Sequence, residues 1–161
     1  MKTFVCKTVQ ILLILLITAT VLHAFYQSSL PPKESAEVSD KVGEIIEEVI
    51  PPDTKPGEYI QKNLRKLAHF TEFFFLGLWA SLYVALFLRK TSAFLSVMPF
   101  GILVALLDET VQIFSKRGAS VKDVWIDALG FFSSFVLVLF VLLAVFAVRH
   151  IRRVRNGRIS L

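Results

Sequence analysis

Four long apolar blocks determine what this 161-residue chain can fold into. They occupy residues 8–26, 67–88, 92–114 and 124–148. A helix needs about 20 mostly apolar residues to cross a bilayer, and each block is long enough. Hydrophobic residues make up 55% of the sequence, more than the roughly 45–50% of a soluble domain. We therefore predict an all-α membrane protein, a four-transmembrane-helix bundle that forms a single domain over residues 1–161.

Lysines and arginines beside these blocks predict which side of the membrane each connection faces. Two lysines precede the first block, Arg89 and Lys90 join the second to the third, and residues 149–161 form a basic tail. Short basic flanks stay preferentially in the cytoplasm. We expect a multipass protein of the cell membrane, with both termini cytoplasmic and residues 27–66 in an extracytoplasmic loop. The formal net charge of +5 is then a topology signal, and we expect no nucleic-acid binding.

The first extracytoplasmic loop contains a helical pattern of its own. Two proline pairs enclose the stretch "KESAEVSDKVGEIIEEVI". A stripe of apolar residues at spacings of three and four is typical of an amphipathic helix. The residues of this stripe are Val38, Val42, Ile45, Ile46 and Val49. We therefore predict a short amphipathic helix in this loop.

Acidic residues lie inside three of the apolar blocks. Counted from the outer helix ends at about 1.5 Å per residue, Glu72, Asp108 and Asp127 lie roughly 5–9 Å deep. A charge at the bilayer centre costs about 2.5–3.5 kcal/mol, and less near the interface. Several acids at one depth are tolerable only when they face one another or a water-filled cavity. The pattern therefore predicts a polar site in the outer half of the bundle.

Helical spacing selects the members of this site, because residues three and four apart share one face of a helix. Gly130, near the last acid, should let another helix approach closely. Asp123, three residues after Ser120, also fits a capping box at the start of the fourth helix. The predicted ligand-binding residues are Arg65, His69, Glu72, Asp108, Glu109, Gln112, Lys116, Arg117, Asp123 and Asp127.

Two segments carry a family resemblance. "RKLAHFTEFFFLG" and "DETVQIFSKRGASVKDVWIDALG" resemble the signature segments of the VanZ-like membrane proteins, over residues 65–130. The resemblance implies a small multipass protein of the cell envelope, and the founding member of the family is associated with low-level teicoplanin resistance. Three departures from the family pattern are Phe73 for a common tyrosine, "SK" before Arg117 for a usual Pro-Gly pair, and Asp127 for a frequent asparagine.

Two functions are favoured at this point over proton-coupled transport, lipid flipping or a purely structural role. The leading hypothesis is a module that binds the polar head group of an envelope lipid or cell-wall precursor, since arginine and lysine suit phosphate or carboxylate. The alternative is a membrane-embedded hydrolase or transferase acting on a phosphorylated or acylated envelope lipid, with metal assistance as a variant. Its candidate catalytic residues are His69, Glu72, Asp108 and Glu109. The sequence does not decide whether the protein is an enzyme.

The expected partners are membrane lipids or a cell-wall precursor, and homo-oligomerisation is left open. We predict no cofactor and no metal ligands. A divalent cation at the acidic cluster is the less favoured alternative, because a zinc site normally has more nitrogen or sulfur ligands than one histidine. Cys6 is the single cysteine, so the chain forms no internal disulfide.

Cysteine labelling tests the predicted orientation. In a Cys6→Ser background, Ser35→Cys should react with a membrane-impermeant maleimide in intact cells, because residues 27–66 are expected outside. Ser160→Cys should react only after permeabilisation, because the basic tail is expected in the cytoplasm. Labelling of Ser160→Cys in intact cells would contradict this topology.

Overall fold

The computed structural model describes residues 2–88, 90–118 and 120–158, and this part of the chain is helical, without strands. Arg89 and the last three residues of the predicted basic tail lie outside the described residues. A π-helical turn, Val84–Leu88, extends the third helix. The α-helices are α1 (Lys2–Ser29), α2 (Pro32–Glu47), α3 (Lys55–Tyr83), α4 (Thr91–Leu95), α5 (Val97–Phe114) and α6 (Val121–Arg158).

The membrane-spanning architecture agrees with the sequence. The helix α2 lies in the loop that was predicted to hold an amphipathic helix. Exposed apolar side chains such as Leu15, Leu103 and Phe140 cover the outside of the bundle, as expected for a surface in contact with lipid. The all-α fold with four spanning segments is confirmed. The segments long and apolar enough to cross a membrane are Val5–Ser29, Lys55–Leu88, Thr91–Phe114 and Val121–Arg155.

Helix α3 begins at Lys55, well before its apolar block. The side chain of Thr54 accepts a hydrogen bond from the N–H of Gly57 at 3.2 Å, and Pro56 lies in the first turn. An N-cap threonine followed by a first-turn proline is a strong helix start. Lys55–Leu88 has 34 residues. At about 1.5 Å per residue it is longer than the ~30 Å hydrocarbon core, so α3 extends beyond the membrane.

The third spanning segment is two helices rather than the single helix expected over residues 92–114. Ser96 separates α4 from α5. Pro99 has no backbone N–H, so it cannot donate the helical hydrogen bond to the carbonyl of Leu95. The missing bond accounts for the interruption at this position.

The core is formed mainly where α3 packs against α6, the most extensive contact between helices. Gly77 and Gly130 lie in this contact. A Cβ atom added at Gly77 would be 2.6 Å from the Phe131 carbonyl oxygen, and one at Gly130 would collide with the Phe70 carbonyl oxygen. The two backbones therefore approach more closely than any larger residue permits, which is common between membrane helices. The close approach predicted at Gly130 is present.

Helix α2 packs against the first half of α3 and has no buried residue. Val38 and Val42 line a cavity beside α3 but remain exposed, as Ile45 and Val49 do. Val49 lies beyond the end of α2, and the other four residues of the predicted apolar stripe are helical. A helix with one apolar face at the end of a bundle suits the membrane interface.

Gly130→Ala should destabilise the bundle, although alanine is the better helix former by about 1 kcal/mol. The added Cβ would meet the rigid Phe70 carbonyl, and overpacking of this kind costs about 1–3 kcal/mol. Gly43→Ala is the matched control, because its Cβ would lie 3.6 Å from the flexible Leu64 side chain. Thermal unfolding in detergent should show a lower midpoint for Gly130→Ala alone. Equal midpoints for the two variants would contradict this account of the packing.

Candidate functional site

The polar residues lie at one end of the bundle, where α1 and α5 end and α6 begins. Ser115 Oγ donates to the carbonyl of Ser28 at 2.8 Å, and Arg117 Nη1 donates to the carbonyl of Gln27 at 2.6 Å. These two bonds hold the end of α5 against the end of α1. Trp125, at the same end, is exposed, and tryptophan prefers the membrane–water interface. The site therefore lies close to the interface.

Three ionisable side chains from three helices form the centre of the site. His69 of α3, Asp108 of α5 and Asp127 of α6 are buried, the two aspartates completely. His69 Nδ1 lies 3.4 Å from Asp127 Oδ1 and 3.9 Å from Asp108 Oδ2. These are ion-pair distances without hydrogen-bond alignment. Within the described chain, His69 Nδ1 and both oxygens of Asp127 have no hydrogen-bond partner.

Gln112 connects the acids to Arg65. Its Nε2 donates to Asp108 Oδ2 at 3.1 Å and to Glu109 Oε1 at 3.0 Å, while its Oε1 accepts from Arg65 Nη2 at 2.7 Å. Ser28 Oγ of α1 donates to the same Asp108 oxygen at 2.7 Å. One oxygen of Asp108 thus accepts two bonds. The other, Oδ1, accepts none from the described residues.

Glu109 fixes the start of α6. Its Oε2 accepts the N–H of Ser120 at 2.7 Å, and Ser120 Oγ accepts the N–H of Lys122 at 3.2 Å. A capping box would require the Asp123 side chain to accept the Ser120 N–H. Because Glu109 binds that N–H, the expected capping role of Asp123 is not present. Asp123 lines a cavity instead.

The two basic residues after α5 have different surroundings. Lys116 has a φ of 58°, its N–H bonds to the Ile113 carbonyl, and the N–H of Arg117 bonds to the Gln112 carbonyl. This is a Schellman motif, in which a left-handed residue, most often glycine, ends a helix. Lys116 is exposed, whereas Arg117 is buried. Burial, and then the charge of Arg65, lower the pKa of the Arg117 guanidinium from its ordinary value.

Glu72 pairs with a histidine that the sequence did not point to. Its Oε1 lies 3.3 Å from His23 Nε2 of α1. The helical spacing of Glu72 relative to His69 predicted a shared face on α3, but the spacing within α3 carries no information about α1. The pair links α1 to α3 beside the centre of the site.

Two cavities flank His69, and Arg65 lines both. The lateral cavity, of about 190 Å³, lies between α1, α2 and α3 and has His23 and Glu72 in its wall. The basic cavity has a volume of about 140 Å³. A buried water needs roughly 10–15 Å³ of such volume, so each cavity has space for a larger polar group. The basic cavity is lined by Lys62, Asn63, Arg65, Lys66, His69, Asp123 and Ile126.

The predicted site residues thus fall into distinct groups. Glu72 and Asp123 line the cavities, Arg117 binds the end of α1, and Lys116 lies outside the site. The sequence did not identify Ser28, because a serine at the end of an apolar helix is ordinary at a membrane interface. Short contacts join the remaining members, which are Arg65, His69, Asp108, Glu109, Gln112 and Asp127.

Comparison with known families identifies the family of the chain. A family model described as VanZ/LLP1 matches residues 10–146, which include every residue of the polar site. The chain belongs to the VanZ/LLP1 family. Neither the curated proteins nor the solved structures gave a match. The resemblance predicted from residues 65–130 is confirmed, and in this VanZ/LLP1 protein it extends into α1 and along α6.

Ser28→Ala should destabilise this VanZ/LLP1 protein by about 1–3 kcal/mol, because it removes a hydrogen bond from the buried Asp108 carboxylate. Ser29→Ala is the matched control, since that neighbouring serine is exposed and its hydroxyl bonds to the Tyr26 carbonyl. Thermal unfolding in one detergent should give a lower midpoint for Ser28→Ala alone. A midpoint lowered by a similar amount in Ser29→Ala would show that the loss of stability comes from any change at the end of α1 and not from the contact with Asp108.

Proposed function

We propose that this protein binds the anionic head group of an envelope lipid or cell-wall precursor in the basic cavity. The observation that carries the proposal is the unpaired positive charge of that cavity. Among the residues that the structure describes, neither Lys62 nor Lys66 forms an ion pair with a carboxylate. With Arg65, the wall holds three cations against the single acid Asp123. An anion entering the cavity therefore gains attraction without displacing an existing ion pair.

Arg65 supplies directional contacts for such an anion. Within the described chain only its Nη2 is hydrogen-bonded, to Gln112. A guanidinium has five N–H donors in a planar fork, so the others are available to a ligand. This fork fits two oxygens of a phosphate or carboxylate at once.

The size and position of the basic cavity favour a head group rather than a whole lipid. Its volume of about 140 Å³ is below the roughly 300–1,000 Å³ of pockets that enclose drug-sized molecules. Trp125 and Leu129 are exposed on α6, the helix that contributes Ile126 to the cavity wall. Acyl or prenyl chains can stay in the bilayer along this apolar surface while the head group enters the cavity.

In this proposal the basic cavity faces the outside of the cell membrane, and both termini lie in the cytoplasm. Binding a precursor head group would make the precursor less accessible to a glycopeptide, which would lower teicoplanin susceptibility without covalent chemistry. One chain supplies every residue of the cavity, so the proposal does not require a homo-oligomer.

A second candidate is a hydrolase or transferase that acts on the bound lipid. The observation in its favour is His69, which lines the basic cavity and lies 3.4 Å from Asp127 Oδ1. A histidine beside a carboxylate is a common arrangement for general acid–base catalysis. Conversion of a bound phosphorylated lipid by the wild type, lost in His69→Gln, would establish the enzyme. Binding without conversion would favour the binding module.

Lys62→Gln and Lys66→Gln should each weaken binding of an anionic lipid about fivefold, since one basic residue near a membrane surface contributes about 1 kcal/mol. The probes are dihexanoyl phosphatidylglycerol and a short polyprenyl diphosphate, titrated into detergent-purified protein and detected by native mass spectrometry. Lys33→Gln removes the same charge from the exposed surface of α2 and is the matched control.

The comparison of probes separates the two sources of the head group. A preference for the diphosphate would identify a prenyl-linked precursor, and a preference for phosphatidylglycerol would identify a membrane lipid. Dihexanoyl phosphatidylcholine, which has no net charge, should bind weakly. Equal effects of Lys33→Gln and Lys62→Gln, or equal affinity for phosphatidylcholine, would refute the proposal.

A further inference from the structure

The centre of the site contains more unused acceptor atoms than a packed protein interior normally retains. One nitrogen or oxygen atom from each of His69, Asp108 and Asp127 lies within 4.8 Å of the others. Within the described chain His69 Nδ1, Asp108 Oδ1 and both Asp127 oxygens are buried without a hydrogen-bond partner. Because buried polar atoms are nearly always paired, four unpaired atoms on three neighbouring side chains require an explanation.

The nearby cations do not supply the missing partners. Arg65 binds the neutral side-chain amide of Gln112, and Arg117 binds the backbone carbonyl of Gln27. Among the described residues, the two fully buried carboxylates therefore have one imidazole as their only ion-pair partner. An uncompensated charge at such a position is costly, and a bound cation is one of the few ways to balance it.

The spacing of the three side chains matches a metal site. Two ligands held about 2.0–2.2 Å from a tetrahedral zinc ion lie roughly 3.3–3.6 Å apart. The separation of His69 Nδ1 from Asp127 Oδ1 is 3.4 Å, and that from Asp108 Oδ2 is 3.9 Å. The first separation lies within this range and the second slightly above it, so the three side chains are close enough to surround one ion.

The surroundings of Asp108 also resemble those of a metal ligand. Ser28 Oγ and Gln112 Nε2 both donate to Oδ2, which orients the carboxylate, while Oδ1 accepts no hydrogen bond from the described residues. In metal sites a ligating carboxylate is typically oriented by hydrogen bonds from residues that do not themselves bind the metal. The three ligands project from three packed helices, and such rigid elements hold a geometry better than loops do.

We propose that His69, Asp108 and Asp127 bind one divalent first-row metal ion. Imidazole nitrogen selects transition metals over Mg²⁺ and Ca²⁺, which prefer oxygen ligands alone. Three protein ligands leave coordination positions for water or another small ligand. The inference does not rest on the head-group proposal, because it requires no anion in the basic cavity, although His69 also lines that cavity.

The test measures metal binding with the metal alone. Tag-free protein in detergent is stripped with a chelator and titrated with Zn²⁺ in phosphate-free buffer, in competition with a chromogenic chelator. The wild type should bind about one Zn²⁺ per chain, with Mn²⁺ weaker and Mg²⁺ weaker still. Gln112→Ala should lower the Zn²⁺ affinity roughly 10–100-fold, the usual effect of losing a hydrogen bond that orients a metal ligand. Asp127→Asn should lower it further, because it replaces a ligand.

Two control variants locate the ion. Asp53→Asn removes one carboxylate from an exposed loop and should bind Zn²⁺ as the wild type does. His23→Gln removes the neighbouring His23–Glu72 pair, the rival site, and should also retain the ion. Added Zn²⁺ should raise the unfolding midpoint of the wild type but not that of Asp127→Asn, because only a protein with an intact site is stabilised by the ligand.

Several results would overturn the proposal. Wild-type protein that binds Zn²⁺ no more tightly than Asp127→Asn has no site at the centre. Zn²⁺ lost in His23→Gln but retained in Asp127→Asn places the ion at the other pair. Should Asp127→Asn fail to accumulate, His69→Gln takes its place. The unfolding midpoint of the wild type, measured with and without Zn²⁺, is an independent test. A midpoint that Zn²⁺ leaves unchanged would refute the site.

Discussion

The burial of Asp108 is the constraint on which this end of the bundle depends. It lies on α5 with no exposed surface, accepts hydrogen bonds from Ser28 of α1 and from Gln112, and faces His69 of α3. A carboxylate at membrane depth is tolerated only when other groups compensate its lost hydration. Because these groups come from different helices, compensating one carboxylate fixes the positions of α1, α3 and α5 relative to one another.

The close packing of α3 on α6 and the chemistry of the site have one structural origin. Gly130 lies three residues after Asp127, and so near the same face of α6, while Phe70 directly follows His69 on α3. The backbone of α6 at Gly130 approaches the Phe70 carbonyl, which brings Asp127 to 3.4 Å from His69 Nδ1. A larger residue at position 130 would separate the helices, and it would separate the imidazole from the carboxylate by the same displacement.

The sequence predicted relations within each helix better than relations between helices. Spacings of three and four identified the polar faces of α3, α5 and α6, and helix depth indicated that their acids would meet. No spacing in the sequence indicates how α1 is positioned against the other helices. The contact of Ser28 with Asp108 and that of His23 with Glu72 could therefore not be predicted. The left-handed backbone at Lys116 could not be predicted either, because glycine and not lysine is the usual indication of that conformation.

Opposite charges stay separate at this site although they lie close together. Lys62 in the basic cavity has no carboxylate partner among the described residues, and Arg65 binds Gln112 rather than an acid. Direct pairing of the arginine with Asp108 would neutralise both charges and leave neither available to a ligand. Gln112 prevents this pairing because a neutral amide can accept from the cation at one end and donate to the acids at the other. A single amide therefore lets a basic cavity and an acidic centre lie side by side within one small membrane protein.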